Sequence, residues 1–80
     1  LKAPKSRLQE HAFSATGRAP AYRIVSSDGP DHDRHFVVEV AIDGVVVGSG
    51  EGRSRREAET RAAEVALEHL EIDVDATVTS

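Results

Sequence analysis

Eighty residues, 39% hydrophobic and 30% charged, suffice for one small core and not for two domains. No apolar run exceeds three residues, so the chain contains neither a membrane span of about twenty nor the apolar stretch of a signal peptide. Without cysteine, disulfides, thiolate metal sites and a cysteine nucleophile are excluded, and a cytoplasmic location is the expectation. The net charge of −4 is unevenly distributed: residues 1–63 hold all ten Lys and Arg against nine acids, whereas 64–80 hold five acids and no base. A polyanionic partner is therefore not excluded by the total. The chain opens on Leu1 rather than methionine, which suggests a segment of a longer protein.

Pro4 suits the first turn of a helix, where its missing amide hydrogen costs nothing. Leu8, His11, Ala12 and Ala15 then recur at helical spacing up to Gly17, a C-terminal stop, which predicts a helix over 4–16. After Gly17–Pro20, residues 21–26 carry Tyr22, Ile24 and Val25 as strand formers, and a polar loop over 27–35 contains Gly29-Pro30. Phe36, Val38, Val40 and Ile42 alternate strictly. Asp43-Gly44 is the dipeptide favoured by a type I′ hairpin turn, and Val45 to Gly48 returns.

Gly48, Gly50 and Gly52 are expected to loosen the chain before the next helix. Ser54 and Glu57 then form a capping box at the head of a helix over 55–70. On that helix Val65, Ala58, His69, Ala62, Ala66, Leu70, Ala63 and Leu67 fill an arc of about 200°. Rich in alanine, this arc can lie close on a sheet. Residues 71–80 are expected to be a frayed acidic tail, although Ile72 and Val74 alternate as a short strand would. The order is α-β-β-β-α, an α+β fold with both helices on one face of a three-stranded antiparallel sheet, and the domain covers 1–70.

Four constellations could carry chemistry. Gly48-Ser-Gly-Glu-Gly52 sits between strand and helix, where a dinucleotide fingerprint would sit. Its sixth position is Arg53, however, and the preceding strand belongs to a hairpin rather than a βαβ unit. Asp31-His-Asp-Arg-His35 gathers possible metal ligands, but no second cluster completes a coordination shell, so no metal is expected. Ser26, Ser27, Asp28 and His32 lack a third group to orient a base, and no catalytic residue is assigned. Arg53, Arg55 and Arg56 are more informative, because guanidinium groups at a helix N-terminus suit phosphate oxygens. Taken alone, the cluster reads equally well as a solvated charge run, and Arg55 can pair with Glu59 four residues on.

Six short pieces, in order, give the cluster a context. They are Leu8-Gln9-Glu10, Pro20-Ala-Tyr22, Gly29-Pro-Asp-His32, Phe36-x-Val38-x-Val40, Gly48-x-Gly50-x-Gly52-Arg-Ser54-Arg-Arg-Glu-Ala-Glu59 and Ala62-Ala63-x-x-Ala66-Leu67. Together they resemble a double-stranded RNA-binding domain, with the match running from Pro4 to Leu70. Glu59 and the wording Pro-Lys-Ser-x-Leu-Gln-Glu of the first helix are most similar to the C-terminal domain of bacterial ribonuclease III.

The resemblance implies three RNA-contacting surfaces. Gln9 and Glu10 would meet 2′-hydroxyls and base edges in one minor groove, with Ser6 also among the RNA-binding residues, and Pro30 and His32 would enter the next. Arg53, Arg55 and Arg56 would bridge the phosphates between them. Such a face reads the shape of about 16 base pairs of A-form RNA and finds no 2′-hydroxyl on DNA. The resemblance further implies that this chain is the non-catalytic part of a ribonuclease III. It would carry no cofactor itself and would position duplex RNA for a magnesium-dependent, homodimeric nuclease domain outside it. The alternative is a degenerate domain of the same fold serving protein-protein interaction, which loss of the loop histidine or the arginines would have favoured. Three departures stand out. Glu59 replaces a lysine of many relatives, which thins the positive patch and predicts tighter RNA binding for Glu59→Lys. His11 stands where an aromatic is expected, and Phe13 falls outside the Leu8 stripe.

Overall fold

The computed structural model describes residues 3–79, with side chains described through Leu70. In chain order it contains α1 (Pro4–Thr16), β1 (Ala21–Asp28), one turn of 3-10 helix (Asp31–Asp33), β2 (His35–Ile42), β3 (Val45–Gly52) and α2 (Arg55–Thr79). The strands form one antiparallel sheet in the order β1-β2-β3. Helix α2 packs across β2 and β3, and α1 packs beside α2, which is the α+β arrangement the sequence predicts.

Local chemistry explains the boundaries of α1 and of the hairpin. Pro4 opens α1 at its first turn, and Gly17 closes it at φ 76°, donating its N–H to the Phe13 carbonyl at 2.9 Å. Asp43 and Gly44 both take positive φ, at 52° and 83°, as a type I′ turn requires. Ile42 then faces Val45 across the turn.

The glycine series is where structure and expectation part. Gly48, Gly50 and Gly52 do not loosen the chain; they are the buried face of β3. A Cβ at Gly48 would lie 2.5 Å from the Ala62 carbonyl oxygen, one at Gly50 2.6 Å from that of Ala58, and one at Gly52 2.9 Å from the Ala58 amide. The series lets helix backbone rest directly on strand backbone, and this packing role leaves no phosphate-binding loop there. Two further boundaries move. β1 continues to Asp28 through a bulge between Ile24 and Ser26. Helix α2 runs on to Thr79 rather than stopping at Leu70, because no glycine or proline follows to end it, and this replaces the short strand suggested by Ile72 and Val74.

The core joins Leu8 and Ala12 of α1, Val38, Val40 and Ile42 of β2, and Ala58, Ala62, Ala63, Ala66 and Leu67 of α2. Tyr22, Phe36, Val47 and Leu70 close its rim. Among the described residues only Leu8, Val38 and Val40 are large and fully buried, so close approach rather than bulk holds α2 to the sheet.

Candidate nucleic-acid interface

On α1, Ser6, Gln9 and Glu10 are exposed and line a shallow hollow together with Phe13. Phe13 is 49% exposed, so the residue without a place in the Leu8 stripe has one on the outer face. Positions 6, 9, 10 and 13 are one helical stripe, and that spacing is the signal that would have found Phe13.

Pro30 and His32 sit exposed on a loop that is built rather than slack. Gly29 turns the chain at φ 96°, where a Cβ would meet the Asp33 carbonyl oxygen at 2.5 Å. The Pro30 carbonyl accepts the Asp33 N–H at 2.9 Å. Arg34 braces the loop from its far side, with Nη2 3.4 Å from Asp31 Oδ1 and Nη1 3.4 Å from Ser27 Oγ. His35 turns away to Glu51, Nε2 to Oε1 at 2.6 Å. Among the described residues no three His, Asp or Glu side chains converge on a point that could hold a metal.

At the head of α2, Ser54 Oγ accepts the Glu57 N–H at 3.1 Å, and Glu57 Oε1 accepts the Arg53 N–H at 3.3 Å. The capping box thus closes on Arg53 rather than on Ser54 itself. Arg53, Arg55 and Arg56 are all exposed. Glu59, by contrast, is only 12% exposed and lies between two cations: Lys5 Nζ at 2.7 Å from α1, and Arg55 Nε at 3.0 Å. Burial pushes its carboxyl up, but hydrogen bonds and charge from Lys5 and Arg55 outweigh that and hold it below the usual carboxylate range. Lys5 Nζ also lies 5.1 Å from the centroid of the Tyr22 ring. The Tyr22 hydroxyl is buried with no hydrogen-bond partner among the described residues. Burial first, and the Glu59 charge second, raise its pKa.

The register brings two of these pieces together: Asp28 pairs with His35 and Phe36 with Gly52, so the Pro30–His32 loop and the chain entering Arg53 leave the same end of the sheet. The Lys5–Glu59 bond then ties the start of α1 to the second turn of α2. Ser6, Gln9 and Glu10, Pro30 and His32, and Arg53, Arg55 and Arg56 are thus all exposed, and all but Pro30 are polar or cationic.

Comparison with known proteins shows the family. A family model, the double-stranded RNA binding motif, matches residues 4–70. A ribonuclease 3 of Natranaerobius thermophilus is 47% identical over 66 residues, covering 82% of this chain and 29% of the relative. A ribonuclease 3 of Zymomonas mobilis is 48% identical over 69 residues, covering 86% and 28%. The chain therefore spans under a third of the length of these curated relatives. Among solved structures, Arabidopsis HYL1 is similar with a TM-score of 0.74 and 42% identity, covering 86% of this chain and 97% of that one. Dicer from Pichia stipitis gives 0.60 and 31%, covering 85% and 34%. Sequence, fold and family model converge: the chain belongs to the double-stranded RNA binding motif family, in a form similar to the C-terminal domain of bacterial ribonuclease III.

Proposed function

We propose that this chain binds double-stranded RNA by shape, as the targeting part of a ribonuclease III. Ser6, Gln9 and Glu10, joined by Phe13, face one minor groove, and Pro30 and His32 face the next. Arg53, Arg55 and Arg56 take the phosphates between. The observation that supports this reading is that the sheet register brings the Pro30–His32 loop and the head of α2 to the same end of the sheet, while the Lys5–Glu59 bond ties α1 to α2. A-form RNA displays 2′-hydroxyls across its shallow minor groove, so two minor-groove surfaces flanking a cationic one are matched to it and not to DNA. Residues 1–70 form the binding domain, and the acidic segment 71–80 takes no part in contact with phosphate.

The magnesium-dependent chemistry and the homodimer interface belong to a nuclease domain outside this chain, which works in the cytoplasm. These assignments rest on the similarity to ribonuclease 3 proteins. The 80-residue chain itself cleaves nothing, with or without magnesium.

Titrating the chain with duplex RNA and with duplex DNA of the same sequence tests the proposal. Binding of RNA with little sequence preference and weak binding of DNA are expected, while equal affinity for the two sinks the shape mechanism. Arg56→Ala should weaken binding to all RNA duplexes alike and flatten the log-log salt dependence by up to about one unit, the counterion of one phosphate contact.

A further inference from the structure

Glu59 invites a simple reading: a carboxylate near the phosphate-facing arginines repels the ligand, and removing it should help. Its surroundings oppose that reading. The side chain is largely covered and bonded at both oxygens, Oε1 to Lys5 at 2.7 Å and Oε2 to Arg55 at 3.0 Å. Lys5 comes from α1, one residue before Ser6, and Arg55 from the head of α2, one residue before Arg56. The two partners lie 54 positions from Lys5 to Glu59 and four from Arg55 to Glu59. The Lys5 ammonium is further held over the Tyr22 ring of β1. A single carboxylate therefore joins the helix that would meet the minor groove, the helix that carries the phosphate-facing cations, and the edge strand beneath.

We propose that Glu59 is a positioning residue for RNA: by bonding Lys5 and Arg55 at once, it fixes the distance between the minor-groove stripe on α1 and the phosphate-facing arginines of α2, and so sets the groove width the domain accepts. This rests on the proposed RNA-binding reading and deepens it. A rigid two-surface reader gains selectivity because both surfaces must fit simultaneously. Once the tie is cut, each surface still attracts a duplex, but the spacing that distinguishes A-form RNA from a wider range of helices is no longer enforced. The carboxylate also orients Arg55 through Nε, which leaves the outer guanidinium nitrogens available to phosphate.

The test is a double-mutant cycle in the 80-residue chain with Lys5→Met and Glu59→Gln, read out in RNA affinity, in preference for RNA over an RNA–DNA hybrid, and in thermal stability. Methionine keeps an unbranched side chain of similar length at position 5, and glutamine keeps the shape of Glu59. Each single variant is expected to lose about tenfold in duplex-RNA affinity and to narrow the preference over the hybrid, with the double variant losing no more than either single, because the two act as a unit. Glu59→Gln is the decisive arm, since it removes a negative charge and yet is expected to weaken binding to a polyanion. Tighter binding by Glu59→Gln, or losses that multiply in the double variant, overturns the proposal. So does coupling that appears in the melting temperature but not in affinity or preference, for that is a structural ion pair only. If the unmodified chain fails to bind duplex RNA at all, the underlying reading of function fails instead, and the two failures are distinct.

Discussion

Tyr22 and Glu59 are neighbours with opposite circumstances. Glu59 has both oxygens bonded, whereas the Tyr22 hydroxyl is covered by protein with no partner among the described residues. A buried hydroxyl that has lost water and gained no partner costs free energy, while the ring keeps its packing and its cation from Lys5. Tyr22→Phe is therefore expected to leave the fold intact and to stabilise it by about 1 kcal/mol, the penalty of one unmet group. Chemical denaturation checks this, and a loss of stability of that size would show that the hydroxyl is bonded in solution. The side chain at 59 cannot be treated so lightly. Glu59→Lys would place a third cation among Lys5 and Arg55 in a site with little access to water, and the charge-count argument for tighter RNA binding assumes an open carboxylate that the structure does not have.

At the scale of elements, α1, the hairpin and the head of α2 were legible because their causes are local. Pro4, Gly17, Asp43-Gly44 and Ser54 with Glu57 each act within a few residues of themselves. The end of β3 was not legible, because glycine reads as a breaker by its own propensity, and its reason for being in β3 is a helix that arrives later in the chain. The partnership of Lys5 with Glu59 was hidden likewise, since only the Arg55 partner lies at helical spacing. The candidate site residues on α1 were visible by family wording, whereas the place of Phe13 was not, because it lies on the outer stripe with Ser6, Gln9 and Glu10 rather than on the buried Leu8 stripe.

Two glycines separate the local cause from the distant one. Gly44 has open space around it but a φ of +83°, so Gly44→Ala strains only the turn and should cost about 1–2 kcal/mol. Gly50→Ala needs no unusual φ, yet its methyl would collide with the backbone of Ala58 and Ala62. A loss of about 3 kcal/mol or more is expected, enough to unfold much of a domain this small. Equilibrium denaturation of the pair decides it, and equal costs would contradict the close seating of α2.

For the whole molecule, the same cluster sets how stability responds to pH. Glu59 has its carboxyl held below the ordinary 4.5, so its contribution is complete above that value and is lost as pH falls through the lowered one. Tyr22 is shifted the other way. Its raised pKa gives a contribution that is complete below 10.0 and is lost as pH rises beyond it, where the unfolded chain ionises first. Stability should therefore decline on both flanks, and Glu59→Gln should shallow the acid flank and, by removing the second cause of the Tyr22 shift, soften the alkaline flank to a lesser degree. Thermal melts across the acid range are the measurement, and an acid flank unchanged by Glu59→Gln would place the linkage on other carboxylates.

The seating of α2 on β3 behaves like two rulers laid edge to edge. Alternate residues of a strand are marked about every 6.6 Å, and every fourth residue of a helix about every 6.0 Å. The two run in opposite directions here, with Gly52, Gly50 and Gly48 met in turn by Ala58, Ala62 and Ala66. Because the divisions differ by about a tenth, they stay in step for three marks and then drift. The glycine series is three marks long, and beyond it Val47 and Leu70 pack against the core. A slip of one position would swing the helix by about 100° and present Arg61 or Ala63 in place of Ala62. Helix α2 thus has one permitted offset along the sheet, and the start of that helix, with its arginines, is indexed to the end of the sheet from which the Pro30–His32 loop also leaves.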